Sequence, residues 1–129
     1  MTDRPVVMVV EDDPEMNELE CELLAAYGLG AVPAYTGTEA LEVCARSGAD
    51  AVLLDVMLPE MDGFETCLRL RQDCAALPIV IVTALDSEDC RRRGFEAGAD
   101  AYFAKPFNPD EIVSTLQRLI ARGNGGDKP

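Results

Sequence analysis

The chain has 129 residues, enough for one domain that buries roughly two-thirds of its unfolded surface. Asp and Glu number 24 against 11 Lys and Arg, a net charge of −13, which excludes direct binding to nucleic acid or anionic lipid, because phosphate contacts need bases. Histidine is absent, and with it go His-based triads, His metal sites and a phosphohistidine on this chain.

Short β-type runs alternate with helical patterns along the sequence. "VVMVV" (6–10) reads as the first strand. Asp13 then stands at an N-cap position and Pro14 at the first helical one, with Met16, Leu19, Leu23 and Tyr27 following at helical spacing as the expected apolar stripe. "AVPAY" (31–35) is a weaker strand whose Pro33 suggests a sheet edge. Thr36 to Glu39 has the form of a capping box that opens a second helix. "AVLLD" (51–55) is the third strand, and Asp62 and Glu65 cap the helix after it. "IVIV" (79–82) is the fourth strand, with Asp86 or Ser87 starting the next helix and Gly94 and Gly98 in or after its last turns. "AYFA" (101–104) is the fifth strand. Asn108 and Pro109 repeat the cap-plus-proline device, and Ile112, Val113, Leu116, Leu119 and Ile120 stripe a closing helix. Residues 1–122 thus form one domain, and 123–129 read as a flexible tail or linker.

Five βα units with all-apolar central strands imply an α/β fold, a doubly wound five-stranded parallel sheet covered by helices on both faces. The flavodoxin-like strand order 2-1-3-4-5 is expected. In such sheets the functional crevice lies beyond the carboxyl ends of the strands. Those ends carry Glu11 and Asp12 after strand one, Asp55 after strand three, Thr83 and small Ala84 after strand four, and Lys105 with Pro106 after strand five. Strand two offers only Thr36.

Crowded carboxylates repel one another unless a cation sits among them. A hard divalent ion such as Mg²⁺ suits oxygen ligands, with Asp12 and Asp55 as expected direct ligands, Glu11 reaching it through water, and the Met57 backbone carbonyl completing the shell. One carboxylate can then attack phosphorus. Asp55 is the expected acceptor, central and facing the mouth, with Lys105 and the Thr83 hydroxyl on the phosphoryl oxygens.

The set "VVEDD", "LLDVMLPEMDG", "VTA" and "AYFAKPF" resembles the receiver domain of two-component response regulators, of the CheY-like superfamily, over roughly residues 6–120. The resemblance implies a sensor histidine kinase or histidine phosphotransfer protein as donor, Mg²⁺ or Mn²⁺ as cofactor, and self-catalysed phosphorylation and dephosphorylation on a chain that is otherwise not an enzyme. It implies a cis Lys105-Pro106 peptide and a switch in which Thr83 moves toward the phosphoryl group and Tyr102 turns inward. The face of the fourth helix, fifth strand and fifth helix would change with it, toward an effector domain, a downstream protein or a phosphorylation-dependent homodimer. Regulators that dimerise through paired charges often carry two acids before the switch aromatic, where this chain has Asp100 and Ala101.

Plainer readings stand beside these. Asp13 is a helix cap, Thr83 alone would cap a strand, Tyr102 alone would be a core aromatic, and Arg91, Arg92 and Arg93 suit a solvated helix end. Five cysteines without a C-x-x-C pair read as reduced packing thiols, and no apolar run is long enough to span a membrane, so the expected location is cytoplasmic. The rival functions are a flavodoxin-like cofactor carrier, a small-molecule aspartyl-phosphate phosphatase, and a receiver used for docking without phosphorylation. The carrier would need phosphate donors where "EDDPE" stands. The phosphatase would need a second acid where Met57 stands.

Overall fold

Side chains along β1 (Val6–Val10) leave alternately to opposite faces, and both faces are apolar. The computed structural model, which describes residues 4–125, pairs β1 in parallel with β2 (Gly30–Ala34) on one side and β3 (Ala51–Leu54) on the other. β4 (Ile79–Thr83) and β5 (Ala101–Ala104) extend the sheet to the order β2-β1-β3-β4-β5. Val7, Val9, Leu53, Val80 and Val82 meet Leu24 of α1 (Pro14–Ala26) and the stripe Ile112, Val113, Leu116, Leu119 and Ile120 of α5 (Pro109–Gly125). Met8, Val10, Val52, Leu54, Ile79 and Ile81 meet the opposite layer, with Val43 of α2 (Gly37–Ser47), Leu70 of α3 (Gly63–Asp73) and Cys90 of α4 (Glu88–Glu96). Two cores, one per face, make the doubly wound architecture expected from continuous apolar strands. Pro33 lies in the edge strand, where its missing N–H costs no inner ladder bond.

The caps fall where the short polar residues stand. Asp13 Oδ1 accepts from the Glu15 N–H, Thr36 Oγ1 from Glu39, Asp62 Oδ1 from Glu65, and Asn108 Oδ1 from Asp110. Ser87, rather than Asp86, caps α4 by accepting from the Cys90 N–H. The reciprocal arm of the capping box goes one residue early, since Glu39 Oε1 accepts from the Tyr35 N–H.

α1 departs from expectation. Met16, Leu19 and Tyr27 are exposed and Leu23 is half-buried, while Asn17, Glu20 and Leu24 face the core. The expected stripe is rotated by about one residue, roughly 100° of helix. Polar demand sets this rotation: the fully buried Asn17 Nδ2 donates to the carbonyls of Val9, Glu11 and Ala34, each at 3.1 Å. The Ala34 carbonyl also accepts from the Glu11 N–H at 3.1 Å, and buried strand-end carbonyls short of donors are costly.

The arginines of α4 are more than a solvated end. Arg91 covers the Tyr102 ring at 5.1 Å and Arg93 the Phe64 ring at 4.2 Å, leaving Arg92 exposed beside Asp89. Arg71 spans the opposite end of the sheet, donating to the carbonyls of Gly98, Ala75 and Leu77 and to Asp100. Asp100 also accepts from the Ile79 N–H at 2.8 Å, so this acid is tied inside the chain. The five cysteines are free; Cys67 is buried, and Cys44 and Cys74 bring their sulfurs to 3.1 Å. The first part of the expected tail, 123–125, continues α5, and 126–129 lie outside the described residues.

Candidate functional site at the carboxyl edge of the sheet

Register brings the candidate residues together. Val10 pairs with Leu54 and Leu54 with Ile81, so Glu11 and Asp55 leave the sheet side by side. The Asp55 N–H donates to the Val10 carbonyl at 3.0 Å, and the Lys105 N–H donates to the Thr83 carbonyl at 2.8 Å. The Lys105-Pro106 peptide is cis, as expected.

Asp55 is buried, with 8% exposure, and both its oxygens accept a hydrogen bond. The Met57 N–H donates to Oδ1 at 2.9 Å, and Lys105 Nζ donates to Oδ2 at 2.9 Å. The same ammonium donates to Glu11 Oε1 at 2.8 Å, while Glu11 Oε2 accepts from the Asp13 N–H at 3.2 Å. Burial pushes the Glu11 carboxyl above its ordinary value, against the pull of Lys105. Burial works against the Lys105 charge too, yet its hydrogen bonds to Glu11 and Asp55 outweigh that cost and raise it above an ordinary lysine. The ammonium is therefore a fixed positive charge.

Around this centre the loop after β3 is held close by glycine. A Cβ on Gly63 would lie 2.1 Å from Val56 Cα and 2.7 Å from the Asp55 carbonyl oxygen, so only glycine lets α3 begin there. Met57 itself is exposed. Thr83 is fully buried, its Oγ1 accepting from the Leu85 N–H at 3.3 Å, and Ala84 beside it is exposed. Tyr102 already lies inward, with 5% exposure, and its hydroxyl donates to the Leu85 carbonyl at 2.7 Å. Thr83 and Tyr102 thus both bind Leu85, one through its N–H and one through its carbonyl.

Glu11 and Asp55 converge on one point and are hard oxygen donors, the chemistry that Mg²⁺ or Mn²⁺ takes. Asp12 is exposed next to them. Among the described residues no three acidic or thiol side chains form a ready metal cage, and Lys105 stands between the two buried acids. The fit is one of donor type and local negative charge.

Two residues of this region were not singled out by the sequence. Asn17 ties the carbonyl of Glu11 to α1, and Glu20 places a buried carboxylate 3.8 Å from Lys105 Nζ. Their spacing with Leu24, at i, i+3 and i+7, is the signal that one helix face holds them, but two polar residues in that pattern read as solvent-facing.

Comparisons with known proteins agree with this fold. Residues 7–117 match the family model described as the response regulator receiver domain. The response regulator MprA of a Mycobacterium species (strain KMS) is 39% identical over 123 residues, covering 95% of this chain and 54% of that protein. The chain spans about half the length of the curated relatives it matches. A putative response regulator from Chloroflexus aurantiacus superposes with a TM-score of 0.87 at 36% identity, covering 93% of this chain and all of the other. The BeF3-activated receiver domain of Klebsiella pneumoniae RstA gives 0.84 at 36% identity, covering 89% and 97%.

Proposed function

This chain belongs to the response regulator receiver domain family of two-component systems, and on that premise we propose that Asp55 is its phosphoryl acceptor. The observation that carries the reading is Lys105 Nζ, which donates at once to Glu11 and Asp55 at the carboxyl edge of the sheet. A buried carboxylate beside a fixed ammonium at the mouth of an α/β sheet is a nucleophile placed where negative charge can be received.

In the reaction an Asp55 oxygen attacks phosphorus with its lone pair. The bond from phosphorus to the donor's leaving atom breaks, and that electron pair departs with the donor, a phosphohistidine of a sensor kinase or phosphotransfer protein. Lys105 offers N–H donors to the phosphoryl oxygens, and the Thr83 hydroxyl, turned from Leu85, donates another. The exposed Ala84 leaves the approach open. A divalent cation, held by Glu11, Asp12, Asp55 and the Met57 carbonyl, would supply further neutralisation of those oxygens.

Movement of Thr83 would break its bond to the Leu85 N–H, and Tyr102 is fastened to the carbonyl of the same residue. Acceptor and signalling face are thereby joined through one loop residue, and phosphorylation shifts the α4-β5-α5 face to the extent that it binds one arrangement better. The rival cofactor carrier finds three buried acids, Glu11, Glu20 and Asp55, where it would need donors for a phosphate. Incubation with acetyl phosphate and Mg²⁺ should give one added phosphoryl group by mass, acid-stable and hydroxylamine-labile, and absent in Asp55→Asn. An unmodified wild-type chain would refute the assignment.

A further inference from the structure

Glu20 is an acid for which the phosphoryl-acceptor chemistry has no stated use. It faces inward from α1 with its side chain 7% exposed, and its Oε2 has no hydrogen-bond partner among the described residues. The groove at this point, about 530 Å³, is otherwise largely apolar, with Met16, Leu19, Leu23, Phe107 and Pro109 along it. Beside the orphan oxygen stands Lys105 Nζ at 3.8 Å. That ammonium has three N–H donors; it directs one to Glu11 at 2.8 Å and one to Asp55 at 2.9 Å, with Glu20 at 3.8 Å, beyond hydrogen-bond reach. A leucine in these surroundings would bury apolar surface without leaving an unpaired charge, so packing does not account for a carboxylate here.

Resting on the acceptor reading of Asp55, we propose that Glu20 is a positioning residue for Lys105: its carboxylate holds the ammonium on the α1 side and competes for it with incoming phosphoryl oxygens. Four charged groups share this pocket, Glu11 from the end of β1, Glu20 from α1, Asp55 from the end of β3 and Lys105 from the end of β5. Burial lifts the Glu20 carboxyl to about 7, with Lys105 pulling it down and Glu11 and Asp55 adding to the rise. At 3.8 Å and without a hydrogen bond, its grip on the ammonium is weak enough to release. When a phosphoryl group arrives on Asp55, Lys105 follows the new oxygens and Glu20 loses its counter-charge. Neutralising Glu20 removes that loss.

The chain has two lysines, Lys105 and Lys128, so ¹⁵Nζ labelling resolves the ammonium directly. Wild type and Glu20→Gln are compared as full chains. Without metal or phosphoryl mimic, exchange of the Lys105 ammonium protons with solvent should be several-fold faster in Glu20→Gln, an effect that a purely packing role would not produce. At saturating Mg²⁺, beryllofluoride should bind Glu20→Gln about threefold more tightly, the scale of one weak charge contact. Glu20→Leu, which suits the groove, should bind it more tightly than wild type as well. Unchanged exchange in Glu20→Gln, or equal or weaker beryllofluoride binding in both variants, overturns the proposal. If wild type binds no beryllofluoride at all, the acceptor reading falls instead, and the exchange rates still decide whether Glu20 holds the ammonium.

Discussion

Glu20→Leu should stabilise the fold by an amount that grows with pH. The wild-type carboxyl rises from an ordinary 4.5 to about 7 because burial penalises its charge more than Lys105 relieves it. Between those values the folded chain holds a proton that the unfolded chain has released, so wild-type stability falls as pH rises through this window. At about 1.4 kcal/mol per decade of proton affinity, the full loss is at most about 3 kcal/mol and is complete above about pH 7. Leucine has no such cost. Urea denaturation followed by far-ultraviolet circular dichroism, in EDTA, at about pH 5 and about pH 8 measures it. Acids outside the pocket are common to both proteins and cancel in the difference, and Glu11 and Asp55, the smaller causes of the Glu20 rise, change it only in second order. The gap between variant and wild type should widen by about 2 to 3 kcal/mol from the lower to the higher pH. A gap equal at both values would refute the claim that Glu20 is driven into a charge-hostile place.

Two further substitutions test the frame that holds the site. Gly63→Ala would place a methyl group 2.1 Å from Val56 Cα, against backbone that cannot swing aside; it should cost about 3 kcal/mol in thermal or urea unfolding and slow phosphoryl capture at Asp55 by displacing its loop. Asn17→Asp keeps the shape but points an acceptor at three carbonyl oxygens now served by Nδ2. It should cost about 3 kcal/mol at neutral pH and recover part of that as pH falls and the new carboxyl gains a proton to donate.

Much of the architecture was legible because the strands admit few other readings. "VVMVV", "AVLL" and "IVIV" are apolar at every position, so they belong inside a sheet covered on both faces, and the order of polar residues at their ends follows from the winding. The helix starts were equally open, since Asp13, Thr36, Asp62 and Asn108 have no better use than capping. The edge placement of Pro33 followed from its missing donor. The face of α1 was not legible. A periodicity argument assumes that apolar residues turn inward, and here Asn17 is turned inward by three carbonyls at the end of β1 and β2, which no pattern of hydrophobicity reports. Met16 and Leu19 then go outward and line a groove with Phe107 and Pro109. The roles of Arg71 and Arg91 were hidden for the same reason, because their partners are backbone carbonyls and a ring distant in sequence.

The charge of the chain takes on a different meaning at this site. An excess of 13 negative charges suggests a solvated acidic surface, and most of the acids are indeed exposed. Among the described residues three are buried, Glu11, Glu20 and Asp55, and all three lie within 3.8 Å of Lys105 Nζ. Burial first, and the neighbouring acids after it, raise the proton affinities of Glu11 and Glu20, and one ammonium does not offset this for three carboxylates. A site built this way is held short of neutrality by its own fold. It relaxes by taking a proton, as Glu20 does near pH 7, or by taking a cation among its oxygens. A cation so held would also neutralise incoming phosphoryl oxygens at Asp55, whereas a proton on Glu20 satisfies the charge without chemistry. Phosphoryl capture should therefore depend most strongly on divalent cation concentration where Glu20 is ionised, above about pH 7.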